Sequence, residues 1–128
     1  MIEFRIPAFR AGGEMVSLSD VLREVRPRGW SWRLLNFEGT FKTDSNLNAL
    51  DLEQRIRASV EGLSCSWDRL LHFSDDVDQP IDVSLVASDG IGRCVLVIEV
   101  RDTTYWRILA EQSDANSIES ATRISRLV

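Results

Sequence analysis

Two runs of alternating residues, joined by a turn sequence, constrain the fold of this chain more than any other feature. The runs span residues 81–87 and 93–101, and apolar side chains occupy every second position in both. A period of two is typical of strands with one buried face. Ser88-Asp89-Gly90-Ile91-Gly92, which lies between them, has turn chemistry, so the pattern predicts an antiparallel hairpin. Its expected core residues on the return strand are Cys94, Leu96, Ile98 and Val100.

Three further segments read as strands. Residues 2–7 alternate apolar and charged side chains up to Pro7, and residues 104–109 are rich in β-branched and aromatic residues that suit a pleated surface. The second of these would extend the hairpin into a three-stranded meander. A third strand is predicted over residues 30–37, with Trp30, Trp32 and Leu34 on one face and Arg33, Leu35 and Phe37 on the other. The composition of residues 39–46 favours a loop.

Helical periodicity appears in four segments. Apolar residues recur at helical spacing in residues 18–25, where Ser17 and Asp20 are placed as cap and first-turn acid. A second helix is predicted over residues 49–61, with Leu52, Ile56 and Val60 on one stripe, and Gly62 as its stop signal. Ser66 could cap a short helix that ends at Ser74-Asp75-Asp76, and a final helix covers about residues 116–127.

These elements predict one α+β domain over residues 1–128. We expect an antiparallel sheet of four to five strands, including the C-terminal three-stranded meander, with three to four helices packed mainly on one face. A length of 128 residues is close to the commonest domain size and favours a single core. No apolar run approaches the length of a bilayer span, and Glu3 stands where a signal peptide would be basic. We therefore expect a cytoplasmic protein that does not engage membranes.

Catalytic and cofactor motifs are not recognisable in the sequence. His72 is the only histidine, Cys65 and Cys94 have no metal-site spacing and are expected to be reduced, and the glycine-rich nucleotide loops are missing. Carboxylates alone could still hold Mg²⁺, either at Glu99 with Asp102 or in the Asp75-Asp76-Val77-Asp78 segment. We interpret those acids as solvated strand, turn and loop residues, so the expectation is a protein that is not an enzyme and has no cofactor.

Direct nucleic-acid binding is also not expected. Arg23, Arg26, Arg28 and Arg33 flank the tryptophans, and basic residues among aromatic ones can bind phosphates and bases. Against this stand a net charge of −5 and a pI near 4.9. The basic segment is too weak a signal to outweigh the acidic balance of the whole chain.

The acidity is concentrated in one segment. Four aspartates, Asp75, Asp76, Asp78 and Asp82, fall within eight residues and would create a local negative field. Such a field steers association with a basic surface, although a solvated loop would have the same composition. Trp30 and Trp32 are either core residues or part of an interface, because tryptophan is frequent in both.

The order of several short motifs resembles that of a known class of proteins. A Trp-x-Trp strand runs into Asn36-Phe37-Glu38-Gly39, Ser66-Trp67 precedes Leu70-Leu71, and a hairpin closes on Asp102-Thr103-Thr104-Tyr105-Trp106. Between Trp30 and Leu109 the chain thus resembles small bacterial immunity proteins of polymorphic toxin and contact-dependent growth inhibition systems. The resemblance implies a cytoplasmic antitoxin that binds the C-terminal domain of a cognate toxin, in many cases a nuclease with a basic cleft. These proteins share no active-site motif, so the resemblance assigns no site residues.

The leading hypothesis is therefore a stoichiometric protein inhibitor of the immunity type. Its partner-binding residues would be the four aspartates, with Trp30 and Trp32 if these are exposed. Two alternatives remain: a small metal-dependent hydrolase or nuclease that uses acidic residues, and a structural or regulatory subunit that self-associates through a sheet edge or the tryptophan face.

Overall fold

The computed structural model describes residues 1–128 as one six-stranded antiparallel sheet with four helices. The strands are β1 (Ile2–Pro7), β2 (Ser31–Phe41), β3 (Leu63–Cys65), β4 (Val77–Ser88), β5 (Cys94–Arg101) and β6 (Tyr105–Ala110). The helices are α1 (Leu18–Arg23), α2 (Ala49–Arg57), α3 (Trp67–Asp76) and α4 (Ala115–Ser125). In the sheet the order is β1-β6-β5-β4-β2-β3. The predicted α+β class is confirmed, and the additional strand is the three-residue β3.

The predicted hairpin and meander are confirmed as β4, β5 and β6. At the β4–β5 turn the Asp89 carboxylate accepts hydrogen bonds from the backbone amides of Ile91 and Arg93. The β5–β6 turn places Asp102 and Thr103 in the left-handed region, with φ of 54° and 49°. This conformation is costly for a β-branched residue. Thr103 is held there because its amide donates to the Ile81 carbonyl and its hydroxyl to that of Pro80.

One face of the sheet forms the core together with the helices. The buried apolar residues make a single cluster to which β1, β2, β4, β5, β6 and all four helices contribute. Trp106 is completely buried in it, and its indole N–H donates to the Val16 carbonyl at 3.1 Å. Ser17 caps α1 and Asp20 lies in its first turn, as predicted, and the two residues form a capping box by exchanging hydrogen bonds with each other's backbone amides. The strands of the meander are thereby fixed to the helical layer.

The predicted arrangement of β2 was wrong in two respects. A register shift between Leu34 and Asn36 turns Phe37 onto the same side as Leu34, so that Phe37 is buried and Leu35 is exposed. The strand also continues through Gly39 to Phe41, where a loop was predicted. At Gly39 the Gln79 carbonyl oxygen would lie 2.5 Å from an added Cβ, so this glycine permits close pairing with β4.

The second helix is shorter than predicted, because it ends at Arg57 instead of reaching residue 61. Ile56 is buried as expected, whereas Val60 lies beyond the helix and is fully exposed. Gly62 then adopts a positive φ of 86° and leads directly into β3. This edge strand pairs with β2 between Trp32 and Leu34.

None of the four helices has the length and apolar character of a transmembrane span.

The loop predicted for the acidic segment does not exist. α3 continues through Asp75 and Asp76, and β4 begins at the next residue, Val77. The chain therefore passes from helix to strand without a connecting loop. The four aspartates are consequently held by regular secondary structure.

Candidate protein-binding surface

The four predicted aspartates do not all belong to one surface patch, because Asp75 is bound to α1. Asp75 and Asp76 occupy the last turn of α3, whereas Asp78 and Asp82 lie on β4. The pairing of β2 with β4 places Glu38 directly opposite Asp82, and the amide of Asp102 contacts the Asp82 carboxylate at 3.4 Å. We define the acidic strip as Asp76, Asp78, Asp82, Glu38 and Asp102.

Asp75 is turned away from this strip and ties α3 to α1. Its carboxylate accepts a 2.7 Å hydrogen bond from the Ser19 hydroxyl and a 3.0 Å hydrogen bond from the Arg23 guanidinium. These bonds, led by the one from Ser19, lower the pKa of Asp75 below its ordinary value. Its negative charge is therefore largely compensated within the molecule, and Asp75 is the least available of the four predicted aspartates.

We expect Asp75→Asn to reduce the free energy of unfolding by about 0.5 kcal/mol at neutral pH, the size typical of an exposed ion pair. Because folding lowers the pKa of Asp75, its contribution is present above the ordinary aspartate pKa and is lost as the pH falls through the folded-state value. Urea unfolding of both proteins at neutral pH and at about pH 2 would measure this. An equal difference at the two pH values would contradict this role for the carboxylate.

Asp82 lies at one end of a row of alternating charges on the exposed face of the sheet. Arg101 is 4.0 Å from Asp82 and 3.5 Å from Glu99. Arg107 Nε is 2.8 Å from Glu99 Oε1, although without the alignment of a hydrogen bond. Each charge in this row has a partner of opposite sign. Glu99, which the sequence analysis considered as a candidate Mg²⁺ ligand, is thus an ion-pair partner of Arg101 and Arg107.

The remaining members of the strip are less compensated. Asp76, Asp78, Glu38 and Asp102 take part in none of the ion pairs of the molecule. Asp78 is exposed, and Asp76 is half-buried. The last turn of α3 contains no basic residue. An acid at this end of a helix is unfavourable by about 0.3–1 kcal/mol, because the helix dipole is negative there.

The two tryptophans lie in the core, which decides between the alternatives that the sequence left open. Trp32 is 1% exposed and Trp30 is 9% exposed. The Trp32 ring packs against that of Trp67, with centroids 4.9 Å apart, and against that of Trp30 at 6.1 Å. Both side chains therefore stabilise the fold, and neither offers a broad contact surface.

The residues considered for metal or acid–base chemistry are dispersed. No group of three or more His, Cys, Asp or Glu side chains lies close enough together to hold a metal ion. Asp102 sits in the β5–β6 turn, and the exposed His72 contacts the Asp68 carbonyl through Nδ1 at 2.9 Å. Burial raises the pKa of the Cys65 and Cys94 thiols, which are both free. These positions do not converge on one site.

The acidic strip includes Glu38, which the sequence did not connect with the four aspartates, and Asp102, which it connected with them only as a candidate metal ligand. Glu38 joins it only through the register between β2 and β4, and Asp102 only through the β5–β6 turn. A prediction of strand register would have been needed to find them.

Comparisons with family models, curated proteins and solved structures found no significant match to this chain.

Proposed function

We propose that this protein is an immunity-type inhibitor that binds a cognate toxin domain through the acidic strip. The observation that carries the proposal is the accumulation of uncompensated carboxylates beside a fully ion-paired sheet face. Asp76 adds to it, because its position at the C-terminal end of α3 does not favour helix stability. Residues that reduce local stability are often retained for binding or catalysis.

The physical basis of such inhibition is charge complementarity. A nuclease binds phosphates in a basic cleft, and fixed carboxylates on a rigid scaffold present a similar array of negative charge. Asp78 and Asp82 are held by β4, which lies between β5 and β2 in the sheet. Their positions are therefore set before binding, which lowers the entropy cost of association. In this proposal the partner is a protein with a basic surface, and the complex is stoichiometric.

A genetic experiment tests the function directly. The C-terminal domain encoded by the reading frame adjacent to this gene would be expressed in a bacterial host, alone and together with this chain. We expect growth arrest in the first case and restored growth in the second. Growth arrest that this chain does not relieve would contradict the proposal, as would a neighbouring product without toxicity.

A matched pair of variants tests the role of the strip once the toxin domain is in hand. Asp78→Lys and Glu119→Lys change the net charge equally, and both residues are exposed and unpaired. Glu119 lies on α4, which packs against β1 and β6, the two strands at the opposite end of the strand order from β2 and β3. We expect Asp78→Lys to slow association about tenfold at low ionic strength, because steering depends on the local field.

Stopped-flow association rates at several salt concentrations would measure the effect. The difference between Asp78→Lys and the unmodified protein should shrink as salt rises, because screening suppresses long-range attraction. Glu119→Lys should associate at nearly the unmodified rate. Equal slowing by the two substitutions would mean that only net charge matters and would remove the acidic strip from the mechanism.

A further inference from the structure

A concave cleft lies between α2, β3 and α3, apart from the acidic strip. This cleft has a volume of about 400 Å³. Its lining includes the apolar side chains of Leu34, Leu52, Leu63, Leu70 and Phe73. Leu47, which also lines the cleft, is 45% exposed. The cleft therefore combines an apolar lining with access from solvent, and it does not include any residue of the acidic strip.

The same cleft carries two basic side chains from different helices. Arg55 of α2 and Arg69 of α3 both line it, and neither takes part in an ion pair. Asp51 is the only acidic residue in the lining. The local charge of the cleft is thus positive on a chain whose net charge is −5. A guanidinium group can donate two parallel hydrogen bonds to a carboxylate.

We infer that this cleft binds a small amphipathic carboxylate, with its alkyl chain on the apolar lining and its carboxylate at Arg55 and Arg69. The volume falls within the range of about 300–1,000 Å³ that is usual for small-molecule sites. Such sites are mostly apolar, with a few polar groups that set the orientation of the ligand. The two positive charges of Arg55 and Arg69 outnumber the single negative charge of Asp51, which favours an anion over a neutral ligand of the same shape.

Titration calorimetry with decanoate and decanol tests the inference on the purified chain. Decanoate should bind more tightly than decanol, because only decanoate is charged. Arg55→Gln and Arg69→Gln should each weaken decanoate binding about tenfold, the loss expected for a hydrogen bond to a charged group, and should affect decanol little. Asp51→Asn should strengthen decanoate binding, since it removes the opposing charge.

Arg57→Gln provides the matched control. Arg57 is exposed, unpaired and on α2 like Arg55, but it does not line the cleft. Its substitution should leave decanoate affinity within about twofold of that of the unmodified protein, because an exposed charge outside the cleft is screened by salt. Glutamine keeps a high helix propensity, so each variant is expected to fold.

The two cysteines report where the ligand binds. Cys65 lines the cleft and Cys94 does not, so decanoate should slow alkylation of Cys65 and leave that of Cys94 unchanged. Three results would overturn the inference. The first is the absence of decanoate binding at millimolar concentration. The second is equal affinity for decanoate and decanol, which is expected if the cleft is a plain apolar groove for a partner's side chain. The third is equal weakening of decanoate binding by Arg55→Gln and Arg57→Gln.

Discussion

Trp106→Ala is expected to lower the free energy of unfolding by about 3–5 kcal/mol, the usual cost of truncating a buried aromatic residue. Trp106 is completely buried, and in the sheet it lies between Val100 of β5 and Ile6 of β1. Its loss would leave a cavity and would also leave the Val16 carbonyl without its indole donor. Since small domains have a total stability of about 5–15 kcal/mol, this variant should be only marginally folded.

Trp106→Phe separates the two contributions. Phenylalanine keeps most of the ring volume but cannot donate to Val16, so its cost should be about 1–3 kcal/mol and smaller than that of alanine. Urea unfolding followed by circular dichroism would measure both variants, with attention to whether the transition remains cooperative. A cost below 1 kcal/mol for Trp106→Ala would show that the helical layer does not depend on this contact.

Gly62→Ala is expected to destabilise the protein by more than about 2 kcal/mol, because it combines backbone strain with steric conflict. Gly62 has φ of 86°, a conformation that residues with a Cβ rarely adopt. An added Cβ would lie 2.7 Å from Leu35 Cδ2 and 2.8 Å from the Leu34 carbonyl oxygen. The side chain could move, but the carbonyl belongs to the pairing of β2 with β3.

Gly92→Ala is the matched control for Gly62→Ala. Gly92 has nearly the same φ, 84°, but nothing lies within 4 Å of an added Cβ. It should therefore show only the cost of the positive φ, about 1 kcal/mol. Thermal or urea unfolding of both variants gives the difference between them, which measures the steric part. Equal costs at the two positions would contradict the close approach of β2 to Gly62.

The sequence predicted those parts of the fold that depend on local pattern and turn chemistry. The β4–β5 hairpin follows from alternation on both sides of Asp89-Gly90, and the start of α1 follows from Ser17 and Asp20. These signals act over a few residues, and tertiary contacts did not override them. The class of the fold could therefore be predicted without knowledge of the strand order.

The errors occurred where long-range pairing decides the local structure. A bulge after Leu34 reversed the side on which Phe37 was expected, and pairing with β4 extended β2 through residues that favour a loop. The brief strand β3 exists only because β2 offers it an edge. The bulge, the extension of β2 and the pairing of β3 have no local sequence signature, because each depends on the partner strand.

The candidate site was predicted in part. The concentration of acids was evident from the sequence, but the separation of Asp75 from the strip requires knowledge that α3 packs against α1. The cleft beside α2 could not be predicted at all, because Arg55 and Arg69 lie on two different helices, and that both helices border one cleft is not specified by the sequence. Sites built across elements depend on the tertiary arrangement of those elements.

The position of β1 in the sheet has a consequence for how the protein folds during synthesis. β1 is made first, yet its only partner is β6, and Ile2 pairs with Ala110 across most of the chain. Because β6 is the last of the six strands in the sequence, β1 can dock only after the other five strands have been synthesised. Contacts of such sequence separation form slowly, because a long loop must close first. Until β1 docks, the outer edge of β6 is open to pairing with other chains, which favours aggregation through this edge during that interval.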